Sequence, residues 1–140
     1  MIVLDTNVLS ELLKPAPSPQ TIVWLSKQPA LLLFTTTVTQ AEILYGVELL
    51  PKSKRKSGLE AAVLAIFEQD FAARILPFDV EAARVFPKIA ASRRSAGHPI
   101  AEFDAQIAAI ARSRGAAVAT RNTTDFGGCG IRLFNPWLDS

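Results

Sequence analysis

Soft and redox-active side chains are scarce in this 140-residue chain. It has one cysteine, Cys129, and one histidine, His98. A lone cysteine rules out an intrachain disulfide and points to a reducing cytoplasm. The same scarcity leaves a zinc centre of histidines and cysteines without its donors. Long apolar runs are missing as well. "ALLLF" and "AAVLAIF" fall far short of the roughly 20 residues that cross a bilayer, so no membrane partner is expected. No basic segment leads into a long apolar stretch at the start, so no secretory leader is expected. Neither sign of charge dominates. Fifteen Lys and Arg against thirteen Asp and Glu give a net charge of +2, which permits nucleic acid as a partner without demanding it.

What is present suits a packed globule. Hydrophobic residues make up 49% of the chain and charged residues 20%, which excludes a disordered polyelectrolyte. One domain over residues 1–140 is expected. A chain of this size buries about two thirds of its unfolded surface, enough for a core without staples.

Apolar patterning predicts alternating strands and helices. Ile2 to Leu4 reads as a buried strand, and Asn7 to Leu13 as a helix stopped by the proline-rich segment Pro15 to Pro19. A helix over 20–27 follows, with Ile22, Val23 and Leu25 as its apolar contacts. Leu31 to Thr35 reads as a second strand and 39–50 as a helix. The basic run "PKSKRKSG" reads as a solvated loop. Leu59, Val63, Ile66 and Phe67 recur at helical spacing, as do Val80, Ala83, Phe86 and Ala90, with Ile75-Leu76 as a short strand between them. A turn at 96–99 leads to a helix over 101–114, which Gly115 stops. Strands at 117–120 and 131–134 complete an α/β domain with a mostly parallel sheet.

Four acids stand out against this pattern. Asp5 ends the first strand, at the carboxyl edge where open parallel sheets gather ligands. Asp5 or Thr6 is equally a good N-cap for the next helix. Glu42 follows Thr39 at capping-box spacing, which favours a capping role, although it shares a face with Tyr45 and Gly46, both read as core-facing. Asp104 lies on one helix face with Ile107, Ala108 and Ala111. An acid there interacts favourably with the helix N-terminus, but a partly buried carboxylate also calls for a partner such as a cation. Asp125 suits an Asx-type turn, yet its loop leaves the fourth strand at the same edge as Asp5. Thr120 and Asn122 reach that edge too. Together these acids suggest an oxygen-lined pocket suited to Mg²⁺ or Mn²⁺. Such an ion activates water at neutral pH, so the expected chemistry is attack on a phosphodiester.

The segments "MIVLDTNVLSELL", "TQAEILYGV", "FDAQIAAIARSRGAAVATRNTTDF" and "NPW" resemble the PIN-domain toxins of bacterial toxin–antitoxin pairs, the VapC family, and in particular its FitB-like branch. The likeness runs nearly end to end. It implies a three-layer α/β/α domain and a Mg²⁺- or Mn²⁺-dependent endoribonuclease, usually a homodimer. It implies catalytic and metal-binding acids at Asp5, Glu42, Asp104 and Asp125. Thr6, Asn7 and Asn122 would orient the acids or the metal's waters. It also implies an antitoxin, a small DNA-binding protein whose C-terminal segment wraps the toxin.

Other features carry less. His98 sits in an exposed turn, and Cys129 reads as an incidental thiol. "GGCG" lacks the strand and helix of a dinucleotide fingerprint. Arg93, Arg94, Arg112, Arg114 and Arg121 are nearer the acids in sequence than the run Lys52, Lys54, Arg55 and Lys56, and are better candidates for holding RNA. No interleaving of aromatic and basic residues marks a base-stacking platform. The rival readings are a carboxylate-metal phosphatase, a DNA nuclease, and a non-catalytic module that binds RNA or a partner.

Overall fold

The computed structural model describes residues 1–140. Strand β1 (Ile2–Leu4) leads into α1 (Thr6–Leu12) and α2 (Pro19–Ser26). A 3-10 turn at Ala30–Leu32 precedes β2 (Leu33–Thr36), α3 (Thr37–Glu48) and α4 (Lys54–Ala65). A π-helical turn at Ile66–Asp70 ends α4. Then come β3 (Ile75–Leu76), α5 (Val80–Ser95), α6 (Glu102–Ser113), β4 (Ala117–Ala119), a 3-10 turn at Thr123–Phe126, and β5 (Leu133–Phe134). The strands lie in the order β3-β2-β1-β4-β5, and every pair is parallel. The sheet is therefore wholly parallel, where the sequence predicted a mostly parallel one.

Alternation along β1 builds the two faces of the sheet. Val3 points into a core with Val118 of β4, Ala82 and Ile89 of α5, and Ile107 and Ala108 of α6. Ile2 and Leu4 point the other way, into a core with Val8 and Leu9 of α1, Trp24 of α2, Ile43 of α3 and Val63 of α4. Helices cover both faces, which gives the expected three layers. No helix is long and apolar enough to cross a membrane.

Several elements differ from the sequence reading. In α2 the buried residues are Thr21 and Trp24, while Ile22 and Val23 are exposed. Residues 21 and 24 share a helix face that 22 and 23 turn away from. Strand β2 starts at Leu33, and Leu31 before it is 78% exposed. The basic run is not a loop throughout. Ser53 caps α4 by accepting the Lys56 N–H at 3.1 Å, so Lys54, Arg55 and Lys56 form the first turn. Lys and Arg are good helix formers, and the cap supplies the start. On α5 the buried residues are Ala82 and Ile89, whereas Val80 is exposed.

Candidate active site

The strand order places β1 beside β4, and the chain runs from β1 toward β2 but from β4 toward β5, in opposite directions. That is a topological switch point, the usual ligand crevice of an open parallel sheet. Asp5 emerges there from β1 and Thr120 from β4. The Asp5 N–H continues the ladder to the Ala119 carbonyl at 2.9 Å.

Asp5 is only 4% exposed. One carboxylate oxygen, Oδ1, accepts the Thr6 N–H at 2.8 Å, and Asp5 is the N-cap of α1. The other, Oδ2, accepts the Thr120 hydroxyl at 2.7 Å. Thr120, fully buried, also accepts from the Asn7 side-chain amide at 3.2 Å and from the Asn122 N–H at 3.1 Å. One donor and two acceptor sites are all a hydroxyl has, so Thr120 is saturated. Burial raises the Asp5 pKa above the ordinary value. The bonds from Thr120 and Thr6 oppose it, and the Glu42 and Asp125 charges add to it.

Glu42 comes from α3, and a capping box does not explain it. The cap of α3 is Thr36, whose hydroxyl oxygen accepts the Thr39 N–H at 3.0 Å. Glu42 Oε1 instead accepts the Thr6 hydroxyl at 2.9 Å. The Thr6 oxygen lies 2.9 Å from that of Thr39. With its own proton on Glu42, Thr6 accepts from Thr39. Tyr45 and Gly46, expected in the core, are exposed, Tyr45 at 66%. The face that Glu42 shares with them fronts open space. Burial raises the Glu42 pKa, with the Thr6 bond opposing and the Asp104 charge adding.

Asp104 lies in the first turn of α6, whose remaining length carries the buried stripe of Ile107, Ala108 and Ala111. Its pKa is pushed up from 3.8 to about 6, first by burial and then by the Asp5 and Asp125 charges, against Arg93.

These three acids line one open cleft of about 390 Å³, together with Thr6, Asn7 and Asn122. The fourth does not. Asp125 sits exposed on the 3-10 turn after β4 and borders a neighbouring cavity. Its backbone carbonyl accepts from Arg93 at 2.8 Å, and the same guanidinium bonds Gly127 and His98 carbonyls, both at 2.7 Å. Arg93 thus holds the turn that carries Asp125. Three of the four predicted acids thus line one cleft, and Asp125 stands beside it, near enough for its charge to act on Asp5 and Asp104. His98 is an exposed turn residue, as expected, and Cys129 is buried.

Sequence reasoning passed over Glu11. It is buried at the back of the cleft, where it accepts from Lys14 Nζ at 2.9 Å and the Ser18 N–H at 3.0 Å. The Lys14 bond, followed by that from Ser18, holds its pKa low. An acid one turn after Val8 on the buried face of α1 was the available signal. Lys14 and Trp137 also line the cleft, and of the five candidate arginines only Arg121 does.

The donors facing the cleft are hard oxygens, and no histidine or thiol is among them. No three of the carboxylates stand close enough to grip one ion directly between them. A small hard cation does not need that arrangement. Mg²⁺ keeps several waters and binds through one or two carboxylates plus substrate oxygens. Three acids whose pKa values are raised by burial and by one another's charge fit such a cation, because it offsets both costs.

Comparison with known proteins agrees with this fold. The family model for the PIN domain matches residues 2–126. VapC ribonuclease Y4jK of Sinorhizobium fredii is 36% identical over 98% of each chain. Toxin FitB of Neisseria gonorrhoeae is 38% identical, covering 99% of this chain and all of FitB. A solved structure of FitAB bound to a DNA fragment superposes with a TM-score of 0.94 at 37% identity, over 100% of this chain and 98% of its counterpart. With β1 central in a parallel sheet and three acids at its carboxyl edge, the chain belongs to the PIN-domain family, on the branch that holds the VapC and FitB toxins.

Proposed function

We propose that this chain is the toxin of a toxin–antitoxin pair and cleaves RNA by metal-dependent hydrolysis of phosphodiester bonds. The observation that carries the reading is the cleft in which Asp5, Glu42 and Asp104 meet, each with its pKa raised by burial. Full-length relatives named as a VapC ribonuclease and as toxin FitB support the same reading.

Asp5, Glu42 and Asp104, with Asp125 beside them, would hold a divalent cation, Mg²⁺ or Mn²⁺, in part through the ion's own waters. The ion supplies Lewis-acid chemistry, activating water and offsetting charge on the phosphodiester. The chain's own residues set the geometry. Thr120 and the Thr6 N–H fix the Asp5 carboxylate, the Thr6 hydroxyl aims Glu42, and Asn7 locks Thr120. Hydrolysis adds water across the bond, so phosphorus gains an oxygen and one P–O bond of the backbone breaks.

The proposed setting is the cytoplasm, the proposed assembly a homodimer, and the proposed partner a small DNA-binding antitoxin. A cleft of unpaired carboxylates attracts a guanidinium, which offers several donors in a planar fork. An antitoxin Arg or Lys entering the cleft would compete with the metal.

The test incubates the purified protein with single-stranded RNA, single-stranded DNA and a phosphomonoester. Each is given Mg²⁺, Mn²⁺ or a chelator. RNA cleavage that the chelator abolishes is the expected result. Turnover of DNA or the monoester alone would replace this reading with the corresponding rival. RNA binding without turnover in every metal would make the chain a binding module.

A further inference from the structure

A cleft walled by acids repels the polyanion it is proposed to cut, so a cation has to hold the strand. Two cations line the cleft, Lys14 and Arg121. Lys14 is engaged, with Nζ 2.9 Å from Glu11. Arg121 is exposed, and although four acids line the same cleft it makes none of the chain's ion pairs. Its guanidinium lies instead over the Trp137 ring, 5.2 Å from the centre. Trp137 is the one apolar residue of the cleft wall. Part of its surface packs against the core on the α1 side of the sheet.

The pair is held from both sides. Asn135 donates its side-chain amide to the Arg121 carbonyl at 3.3 Å and accepts the Trp137 N–H at 3.0 Å on the same side chain. Its own N–H donates to Asp139 at 2.7 Å. On the far side, the Arg121 N–H donates to Asn7 Oδ1 at 3.3 Å, and Asn7 also bonds the Thr120 that fixes Asp5. One hydrogen-bonded chain therefore connects the arginine–tryptophan pair to the acid at the centre of the site. A partner so prearranged loses little freedom on binding.

We propose that Arg121 and Trp137 form the subsite for the nucleotide flanking the scissile phosphate. This rests on the ribonuclease reading above. The unpaired base stacks on the guanidinium–indole pair, and Arg121 neutralises the adjoining phosphate. Single-stranded RNA is recognised in this way, by bases splayed onto aromatic and guanidinium planes. The subsite favours an unpaired nucleotide beside the cut, because a base held in a duplex offers no free face to stack. Sequence order hides the platform, since the two residues lie 16 positions apart and meet only through the turn at Asn135.

The test uses a single-stranded oligoribonucleotide that the wild type cleaves in Mg²⁺, and a copy with one abasic nucleotide beside the cleavage site. Base stacking is worth about 1–3 kcal/mol. Trp137→Ala should therefore raise KM roughly tenfold, with kcat within about twofold. Trp137→Phe should restore most of the loss and guards against a folding defect in the Ala variant. The abasic substrate should lose as much with wild type as the intact one loses with Trp137→Ala, and the two losses should not add. Arg121→Gln should raise KM and lower the salt slope of binding by about one counterion. Unchanged KM in Trp137→Ala and Trp137→Phe, or abasic and variant losses that add in full, would overturn the subsite while leaving the nuclease standing. No RNA cleavage by wild type would overturn the ribonuclease reading and the subsite with it.

Discussion

Asp5 and Asp125 are held in opposite ways. Asp5 is buried, with both carboxylate oxygens hydrogen-bonded by groups that β1 and β4 deliver. Asp125 stands exposed on a short turn that Arg93 holds through backbone carbonyls, leaving the carboxylate itself unanchored. The sheet has decided where Asp5 points, whereas Asp125 is free to answer to whatever enters the cleft. A preorganised acid acts without reorganising, and a free one must first be ordered. Asp5 should accordingly matter most and Asp125 least.

Asp5→Asn makes the sharpest cut at this contrast. Asn is as good an N-cap as Asp, but it is neutral and a weaker ligand for a hard cation. RNA cleavage should fall about a hundredfold or more while the thermal unfolding midpoint holds or rises. Full activity in the folded variant would reduce Asp5 to a cap. Thr120→Val tests the scaffold instead of the acid. It removes a buried hydroxyl that serves three partners, so stability should drop by about 1–3 kcal/mol. Cleavage should drop roughly ten- to a hundredfold, as when a residue orienting a ligand is lost. Wild-type cleavage by this variant would mean that Asp5 needs no orientation. Asp125→Asn should cost less than about tenfold in cleavage and leave the midpoint unchanged. A loss equal to that of Asp5→Asn would show that the turn closes onto the site during the reaction, and the contrast would then hold only for the free protein.

The smallest effect concerns pH and stability. The Asp104 pKa is raised from 3.8 to about 6 in the fold. Between those values the folded chain binds the proton more tightly than the unfolded chain. Its contribution is therefore greatest below this window and is lost as pH rises through it. Asp104→Asn escapes that loss. In metal-free buffer its midpoint should exceed the wild-type value by a few degrees at pH 7 and converge with it near pH 4. Added Mn²⁺ should raise the wild-type midpoint and barely move the variant's. Parallel pH profiles for the two proteins would mean that Asp104 is not under this strain.

Much of the site was legible in the sequence because its parts are local. Strand ends and helix starts could be read from runs such as Ile2–Leu4 and from the stripe that begins at Asp104, and those are the places where a parallel sheet collects ligands. Nearest-neighbour inference failed where the deciding contact was distant. Glu42 looked like a capping residue because Thr39 precedes it, but its partner is Thr6, 36 residues earlier. Ile22 and Val23 looked buried because they are apolar, yet the sheet takes Thr21 and Trp24. Asp125 follows β4 at the same edge, as its position suggested, but on an exposed 3-10 turn at Thr123–Phe126 beside the cleft that the other acids line. No periodicity reveals Arg121 and Trp137 as partners.

The central position of β1 bears on how the molecule comes apart. The bond from Thr120 to Asp5 closes 115 residues of chain, and β1 pairs with β4 across a similar span. Such contacts form only after a large loss of chain entropy, so they come with the whole sheet and not before it. A half-folded chain thus carries its acids scattered and has no cleft. In a urea titration, cleavage and far-UV circular dichroism should be lost together, so that no partly unfolded species is an active nuclease.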